Sequence, residues 1–436
     1  MAFHFWNLTL LTADQPCRTR VDIVTGADGT IHDIGPALQP EGPVETIDGR
    51  GALCLPGFVN SHNHSPLMVV RGMVEDRGFA PAYIPGVPQG HWLSEEDTLA
   101  LARLGVAEML LSGATTIVDY YRCPEALAQA AQDLGVRALV GGRIMDMDTA
   151  ALAEGRFERD AALGARTLRA AMDLQDKWDG VGRISTILAP HAPDSCSRGL
   201  FEEVRDLASR SGKQVHTHLS QSEREVAQIR AREGMTPTEI LDDLGLLSPD
   251  LIAAHCIFLS AGDIARFGAA GGVVAHAPIG NASFGAAAPV KALRDAGATV
   301  TLCTDTKSAD MFEAMRMAIA AARWRAGLSF DFDAAEVFDW ATRGGARALK
   351  DHGATGTLEI GGPADLVLLD PLAPNLRPVI DGFGIVVHSG AGSNVTDVMV
   401  AGEWVVRDRR PVRVDIEEVI AEAQRVSEAL WHRAPA

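Results

Sequence analysis

Leu55-Pro-Gly-Phe-Val-Asn-Ser-His-Asn-His64 is a short apolar run that closes on two histidines one residue apart. As a strand it sends residues i and i+2 to one face, so the imidazoles of His62 and His64 leave its end together. Two ligands of a single metal ion need that arrangement. A lone His-x-His pair also arises by chance, so its meaning depends on whether later strand ends supply partners.

From Leu53 onward, short β-branched runs alternate with helical stretches. Residues 114–119 follow a helix-like segment at 99–111, and the series continues at 136–140, 183–188, 214–218, 251–255, 272–276 and 298–303. With the strand before His62 there are eight. Alternating β and α units predict parallel strands of the α/β class, and eight predict a closed (β/α)8 barrel. The competitor is a doubly wound open sheet, but no glycine-rich phosphate loop opens any helix. Before residue 53 and after residue 356 the pattern is strands and turns, followed by an amphipathic helix over 416–430. The expected domains are a composite β-sandwich of residues 1–54 and 357–412, a barrel of residues 55–356 and a C-terminal helix of residues 413–436.

Composition narrows the class. The chain has 436 residues, 47% hydrophobic and 22% charged, as a globular enzyme with a large core has. A net charge of −18 argues against nucleic acid or an anionic membrane as partner. Six scattered cysteines without a Cys-x-x-Cys pair offer neither a zinc ribbon nor a disulfide framework, which favours a reducing cytoplasm. Met1-Ala-Phe-His-Phe-Trp6 lacks the basic start and apolar core of a secretion signal, and no apolar run is long enough to span a bilayer.

Eight of the thirteen histidines lie between His62 and His276, and most close an expected strand. His62 and His64 end the first, His216 and His218 the fifth, His255 the sixth and His276 the seventh. Asp305 follows the eighth, in Leu302-Cys-Thr-Asp-Thr306. In a barrel the C-terminal strand ends surround one mouth, where active sites lie. Three or more neutral imidazoles with a carboxylate suit zinc, or borderline iron or cobalt, with a position left for water. A backbone hydrogen bond explains any one of these histidines equally well, but not the ordered set.

These motifs resemble the amidohydrolase superfamily, within it the branch of cytosine, guanine and adenosine-type deaminases and triazine hydrolases. The matching stretches are Pro56-Gly-Phe-Val-Asn-Ser-His-Asn-His64, Ala189-Pro-His-Ala-Pro193, His216-Thr-His-Leu219, Ala275-His-Ala-Pro278 with Asn281, and Thr304-Asp305 followed by Asp310-Met-Phe-Glu-Ala-Met315. Gly361-Gly-Pro-Ala-Asp-Leu-Val367 and Val398-Met-Val-Ala-Gly402 also fit, so the resemblance covers nearly the whole chain. It implies a barrel with a sandwich of both termini, and one divalent ion, zinc or alternatively iron, held by His62, His64, His218 and Asp305. It further implies Asp305 as general base, His255 beside the attacking water or as a further ligand, and His191 against substrate. His216 is expected to face away from His218 and to be packed.

The chain departs from the family at three places. Many deaminases of this branch carry a ring-protonating glutamate three residues after the fifth-strand metal histidine; here Gln221 stands there, and an amide cannot deliver a proton. Glu223 and Glu225 read as solvated or capping residues of the next helix. Nucleoside deaminases anchor the ribose with a glutamate in Pro-x-Glu-x-x-Leu, but Pro88-Gln-Gly-His-Trp-Leu93 places Gly90 at that position. Asp194 stands where a tyrosine often follows Pro-His-Ala-Pro. These departures count against a nucleoside deaminase.

The segment 65–92 is expected to overhang the mouth and set substrate choice. Arg71, Phe79, Tyr83 and Trp92, with Tyr120, Tyr121 and Arg143 on later strand ends, are candidate substrate contacts. For the arginines the alternative is a structural ion pair, and for the aromatics, packing. The expected activity is addition of metal-activated water to a carbon–nitrogen bond of a small nitrogen heterocycle or related amide, with Asp305, His255 and Gln221 as the catalytic set. The alternatives are displacement of a better leaving group, such as chloride or thiolate, and a non-catalytic scaffold. A two-metal site would want a carboxylated lysine ending the fourth strand, where Leu188-Ala-Pro-His191 stands instead. Relatives of this branch often form dimers, so a homodimer acting on a small molecule is expected.

Overall fold

The structure is a computed structural model, and it describes residues 1–13, 15–77, 87–88, 92–326, 332–350 and 353–433. Five strands open the chain: β1 (Phe3–Thr12), β2 (Gln15–Thr25), β3 (Ile31–Gly35), β4 (Glu45–Asp48) and β5 (Leu53–Pro56). Nine follow in the middle: β6 (Phe58–Asn63), β7 (Ala114–Tyr121), β8 (Arg137–Ile144), β9 (Ile184–Thr186), β10 (Ala189–Pro190), β11 (Val215–Leu219), β12 (Leu251–His255), β13 (Val273–His276) and β14 (Thr299–Leu302). Four close it: β15 (Leu366–Leu369), β16 (Val395–Val400), β17 (Glu403–Arg407) and β18 (Arg410–Pro411).

The middle strands are all parallel. β6, β7, β8 and the broken pair β9 and β10 make one half, and β11 to β14 the other. Parallel bridges Leu188 to Val215 and Asn63 to Asp305 join the halves, so the eight strand positions close into a barrel. At the second seam Asp305 N donates to His62 O and His64 N to Asp305 O, each at 3.1 Å. Every residue of β6, β7 and β8 is buried, as parallel strands covered on both faces require. Val59, Val118, Leu139, Ile187, Ile252, Ala254, Val273 and Ala275 belong to one small apolar cluster inside this ring.

The strands of the two termini share a single nine-stranded sheet, in the order β18-β17-β16-β15-β5-β1-β2-β3 with β4 beside β1. Its two halves meet where β5 runs antiparallel to β15. The run that ends in His62 and His64 is therefore two strands in two sheets, with Gly57 between them. A Cβ at Gly57 would lie 1.9 Å from Thr115 Oγ1, so only glycine lets the chain cross there. The C-terminal helix Ile416–Arg433 buries Val419, Ala423, Val426 and Leu430, one face at helical spacing. Trp431 Nε1 donates to Val69 O at 2.7 Å, which ties this helix to the segment that follows β6. Among the described residues no helix is long and apolar enough to cross a membrane. Phe79, Tyr83 and Gly90 lie outside the described residues.

Candidate active site

His62 and His64 leave the end of β6, His218 lies near the end of β11, His255 closes β12, and Asp305 stands just beyond β14. Topology thus collects them at the C-terminal mouth. The hydrogen bonds around each ring fix its tautomer. His64 Nδ1 donates to the Tyr120 carbonyl (2.6 Å), His218 Nδ1 to the His191 carbonyl (2.7 Å) and His255 Nδ1 to Asn281 Oδ1 (3.0 Å). His216 Nδ1 donates to the Ile252 carbonyl at 3.0 Å, which leaves its Nε2 to accept from His62 Nδ1 at 2.8 Å. Four imidazoles therefore present an unprotonated Nε2, that of His218 with the Tyr120 hydroxyl 3.3 Å away.

Those lone pairs converge. His64 Nε2 and His218 Nε2 stand 3.1 Å apart, and Asp305 Oδ1 lies 3.4 Å from His62 Nε2 and 3.9 Å from His64 Nε2. His62 Nε2 and His255 Nε2 are buried and have no hydrogen-bond partner. Burial, reinforced by neighbouring imidazoles and by Arg143, holds His62, His64, His191 and His218 well below the usual histidine range. The rings are neutral at physiological pH, the state in which histidine ligates a metal.

His216 does not face away from His218. Two apart on one strand, they share a face, and His216 looks into the barrel behind His62. Burial lowers its pKa to about 4, so it remains a neutral acceptor. His276 is buried on β13, its pKa lowered by burial to about 3, and it belongs to neither candidate ligand group.

The other expected residues are placed as follows. Tyr120 is fully buried, its carbonyl on His64 and its hydroxyl 3.0 Å from His218 Nδ1, so it orients ligands. His191 contributes its carbonyl to His218, while its ring is hydrogen-bonded to Ser195 Oγ (2.6 Å) and to Arg143. Arg143 is buried against Tyr121, with its Nε unpaired. Arg71 pairs with Glu108 and donates to the Lys307 carbonyl, the structural role that was its alternative. Trp92 is half-buried and packs against the main apolar core. Gln221 is half-buried, and its backbone N–H donates to Glu225 at 2.7 Å.

Glu223 is exposed as expected, but Glu225 is not solvated: it is 2% exposed. Its other oxygen accepts from Ser220 N at 2.8 Å, and burial, with the charge of Asp194, pushes its carboxyl up to about 8. The spacing Ser222-x-x-Glu225 announces a helix start, and Ser222 does cap Glu225 N. Nothing in that spacing announces the burial. Asp119, unremarked in the sequence, accepts from Ser65 N at 2.9 Å and from Ser65 Oγ, anchoring the turn that follows His64.

A profile described as the Amidohydrolase family matches residues 53–405. The chain is 32% identical over 414 residues, 93% of either chain, to a 5'-deoxyadenosine deaminase of Methanosarcina mazei. Its fold matches that of an adenosine deaminase from Xanthomonas campestris with bound zinc at a TM-score of 0.86, with 28% identity over 98% of both chains. An atrazine chlorohydrolase from Arthrobacter aurescens TC1 complexed with zinc also matches at 0.86, with 26% identity over 98% of this chain and 100% of that one. These likenesses span barrel and terminal strands together, and on them the chain belongs to the amidohydrolase family and is a hydrolase of carbon–nitrogen bonds.

Proposed function

We propose that this hydrolase adds water to a carbon–nitrogen bond of a small nitrogen heterocycle or related amide, using one divalent ion, with zinc as the native metal and iron as the alternative. The carrying observation is the opposed pair of unprotonated nitrogens, His64 Nε2 and His218 Nε2 at 3.1 Å. Neutral imidazoles repel in that arrangement and a cation between them reverses the sign. Two overlapping groups support it: His62, His64 and His218, and His62, His255 and Asp305, each with its ligand atoms within 4.8 Å of one another. The donor set fits zinc, and His62, His64, His218 and Asp305 would hold it. When bound, the ion supplies Lewis acidity and lowers the pKa of water toward about 7.

The chain's own residues account for the proton traffic. Asp305 takes a proton from the attacking water and returns it to the departing group. His255, held by Asn281 with Nε2 bare, accepts a hydrogen bond from that water and aims it. Gln221 offers the substrate ring an amide hydrogen bond but no proton. That amide favours a second reading, the displacement of a leaving group that departs without acid help, such as chloride or thiolate. We take the enzyme to act as a homodimer in the cytoplasm, consistent with six free cysteines.

The test is a screen of metal-replete protein against aminated, halogenated and alkylthio heterocycles, with simple amides and carbamates included. Chelation is expected to abolish turnover and zinc to restore it. Asp305→Asn is expected to lower kcat about a hundred- to ten-thousandfold. Full activity in either case overturns the proposal. Gln221→Glu is expected to leave turnover of the native substrate unimproved. A tenfold or greater gain would mean that Gln221 is not fitted to that substrate.

A further inference from the structure

We propose that Lys307 is an anion-recognising residue of the substrate site, so that the molecule hydrolysed here carries an anionic oxygen group, a carboxylate or a phosphate. The inference rests on the reading that the barrel mouth takes a heterocyclic substrate, and it deepens that reading by naming a class within it.

Lys307 lies two residues beyond Asp305 and is 9% exposed. Its Nζ is buried with no hydrogen-bond partner, although the Glu75 carboxylate is near enough to feel its charge. Among the described residues its compensation comes from the Phe284 ring, whose centroid is 5.1 Å from Nζ, and from the charge of Glu75, which makes no ion pair with it. A buried ammonium without an acceptor is costly, and a buried charge is normally paired. The backbone is committed to the placement: φ is +71° at Lys307, and its carbonyl accepts from Arg71 Nε at 2.6 Å.

The surroundings place this charge next to the chemistry. Phe284 helps to line a cavity of about 840 Å³, with Asp194, Ser222, Ile257, Phe258 and Arg325 among its walls. Ser222 follows Gln221 and Ile257 lies two residues beyond His255, so the cavity opens beside the candidate ligands rather than over them, and it has room for a substituent of a heterocycle. The segment leading to Phe284 passes close over Asp305, since a Cβ at Gly280 would lie 3.0 Å from Asp305 Oδ2. The same segment presents a second buried donor without a partner, Asn281 Nδ2. A net charge of −18 repels anions at long range, so their capture requires a local cation of this kind.

The test uses full-length, zinc-loaded protein and matched 6-aminopurines carrying ethyl, carboxymethyl or phosphonomethyl at N9, alongside matched aminotriazines. Wild type is expected to favour a charged member over its neutral partner about ten- to hundredfold in kcat/KM, the worth of a hydrogen bond to a charged group. Lys307→Met is expected to lose that preference through KM, the charged member losing at least tenfold more than the neutral one, and Lys307→Arg to keep much of it. Which charged member leads separates carboxylate from phosphate. If no compound is turned over, the reaction class proposed above has failed, and binding of the same compounds by calorimetry still decides the role of Lys307. Equal affinity for charged and neutral members overturns it, as does a Lys307→Met variant that weakens both alike. Ligand-free Lys307→Met is expected to unfold at a higher temperature than wild type, because an unpaired buried charge is gone. A marked fall in Tm would show that the ammonium is satisfied within the protein, and would also overturn the proposal.

Discussion

His216 decides how firmly the first ligand is held. It accepts from His62 Nδ1 at 2.8 Å and itself leans on the Ile252 carbonyl, so a strand on the far half of the barrel sets the tautomer of a ligand on the near half. Such partners of metal ligands are worth roughly 10- to 100-fold in metal affinity. His216→Phe keeps the ring and removes the acceptor, leaving His62 Nδ1–H unpaired in a dry site. The expected result is zinc affinity lower by about that factor in a competitive chelator titration, with the fold intact by circular dichroism. Unchanged affinity would show that His62 needs no such support. At this scale the sequence was legible where chemistry repeats by position, since His62, His64, His218, His255 and Asp305 each stand at a strand end. It was silent on Lys307, whose meaning lies in what fails to surround it. The role of His216 was available from strand alternation alone, which places it on the same face as His218.

Between β11 and the helix Glu223–Glu233 the chain makes a short turn whose geometry depends on one carboxyl. Glu225 reaches back to the amides of Ser220 and Gln221, so the residue replacing the family's proton donor is positioned by an acid buried beside Asp194. Its raised pKa has a consequence for stability. An ordinary glutamate releases its proton near 4.5, whereas folded Glu225 keeps one until about 8. Between those values the native state binds more protons than the unfolded chain, so stability falls as pH rises through that window and levels off above it. Glu225→Gln cannot titrate and is expected to show a flatter unfolding midpoint between pH 5 and pH 9 than wild type. Parallel curves for the two proteins would place the carboxyl at an ordinary pKa. Elements of this kind were half legible: the serine that caps the helix was written in the spacing, but the burial of Glu225 depends on the turn that offers it the amides of Ser220 and Gln221. Its raised pKa depends also on Asp194, supplied by a loop from another strand.

For the whole molecule, the alternation of eight short strands with helical stretches predicted the barrel, and the β-rich pieces at opposite ends of the chain predicted a composite sandwich. The structure builds that sandwich as one nine-stranded sheet joined where β5 meets β15. The crossing at Gly57 was not legible, since Leu53–Pro56 and Phe58–Asn63 read as one strand until their partners are known. The two sheets are fastened by a buried pair. Arg137, the first residue of β8, donates to Asp365, just ahead of β15. The other oxygen of Asp365 accepts from Ala401 N at 2.7 Å, in the turn between β16 and β17, and its carbonyl accepts from Gly57 N at 3.0 Å. Asp365→Ala would leave the Arg137 guanidinium buried without its carboxylate partner, which costs about 3–5 kcal/mol. The pair sits at the start of β8, while the site lies at the opposite ends of the strands. The expected variant therefore unfolds at a markedly lower temperature yet keeps wild-type kcat below that transition, and Asp365→Ala combined with Arg137→Met recovers much of the loss. A variant that keeps its Tm would show that the barrel and the terminal sheet are held together without this pair, and a fall in kcat at full folding would show that the sheet acts on the mouth.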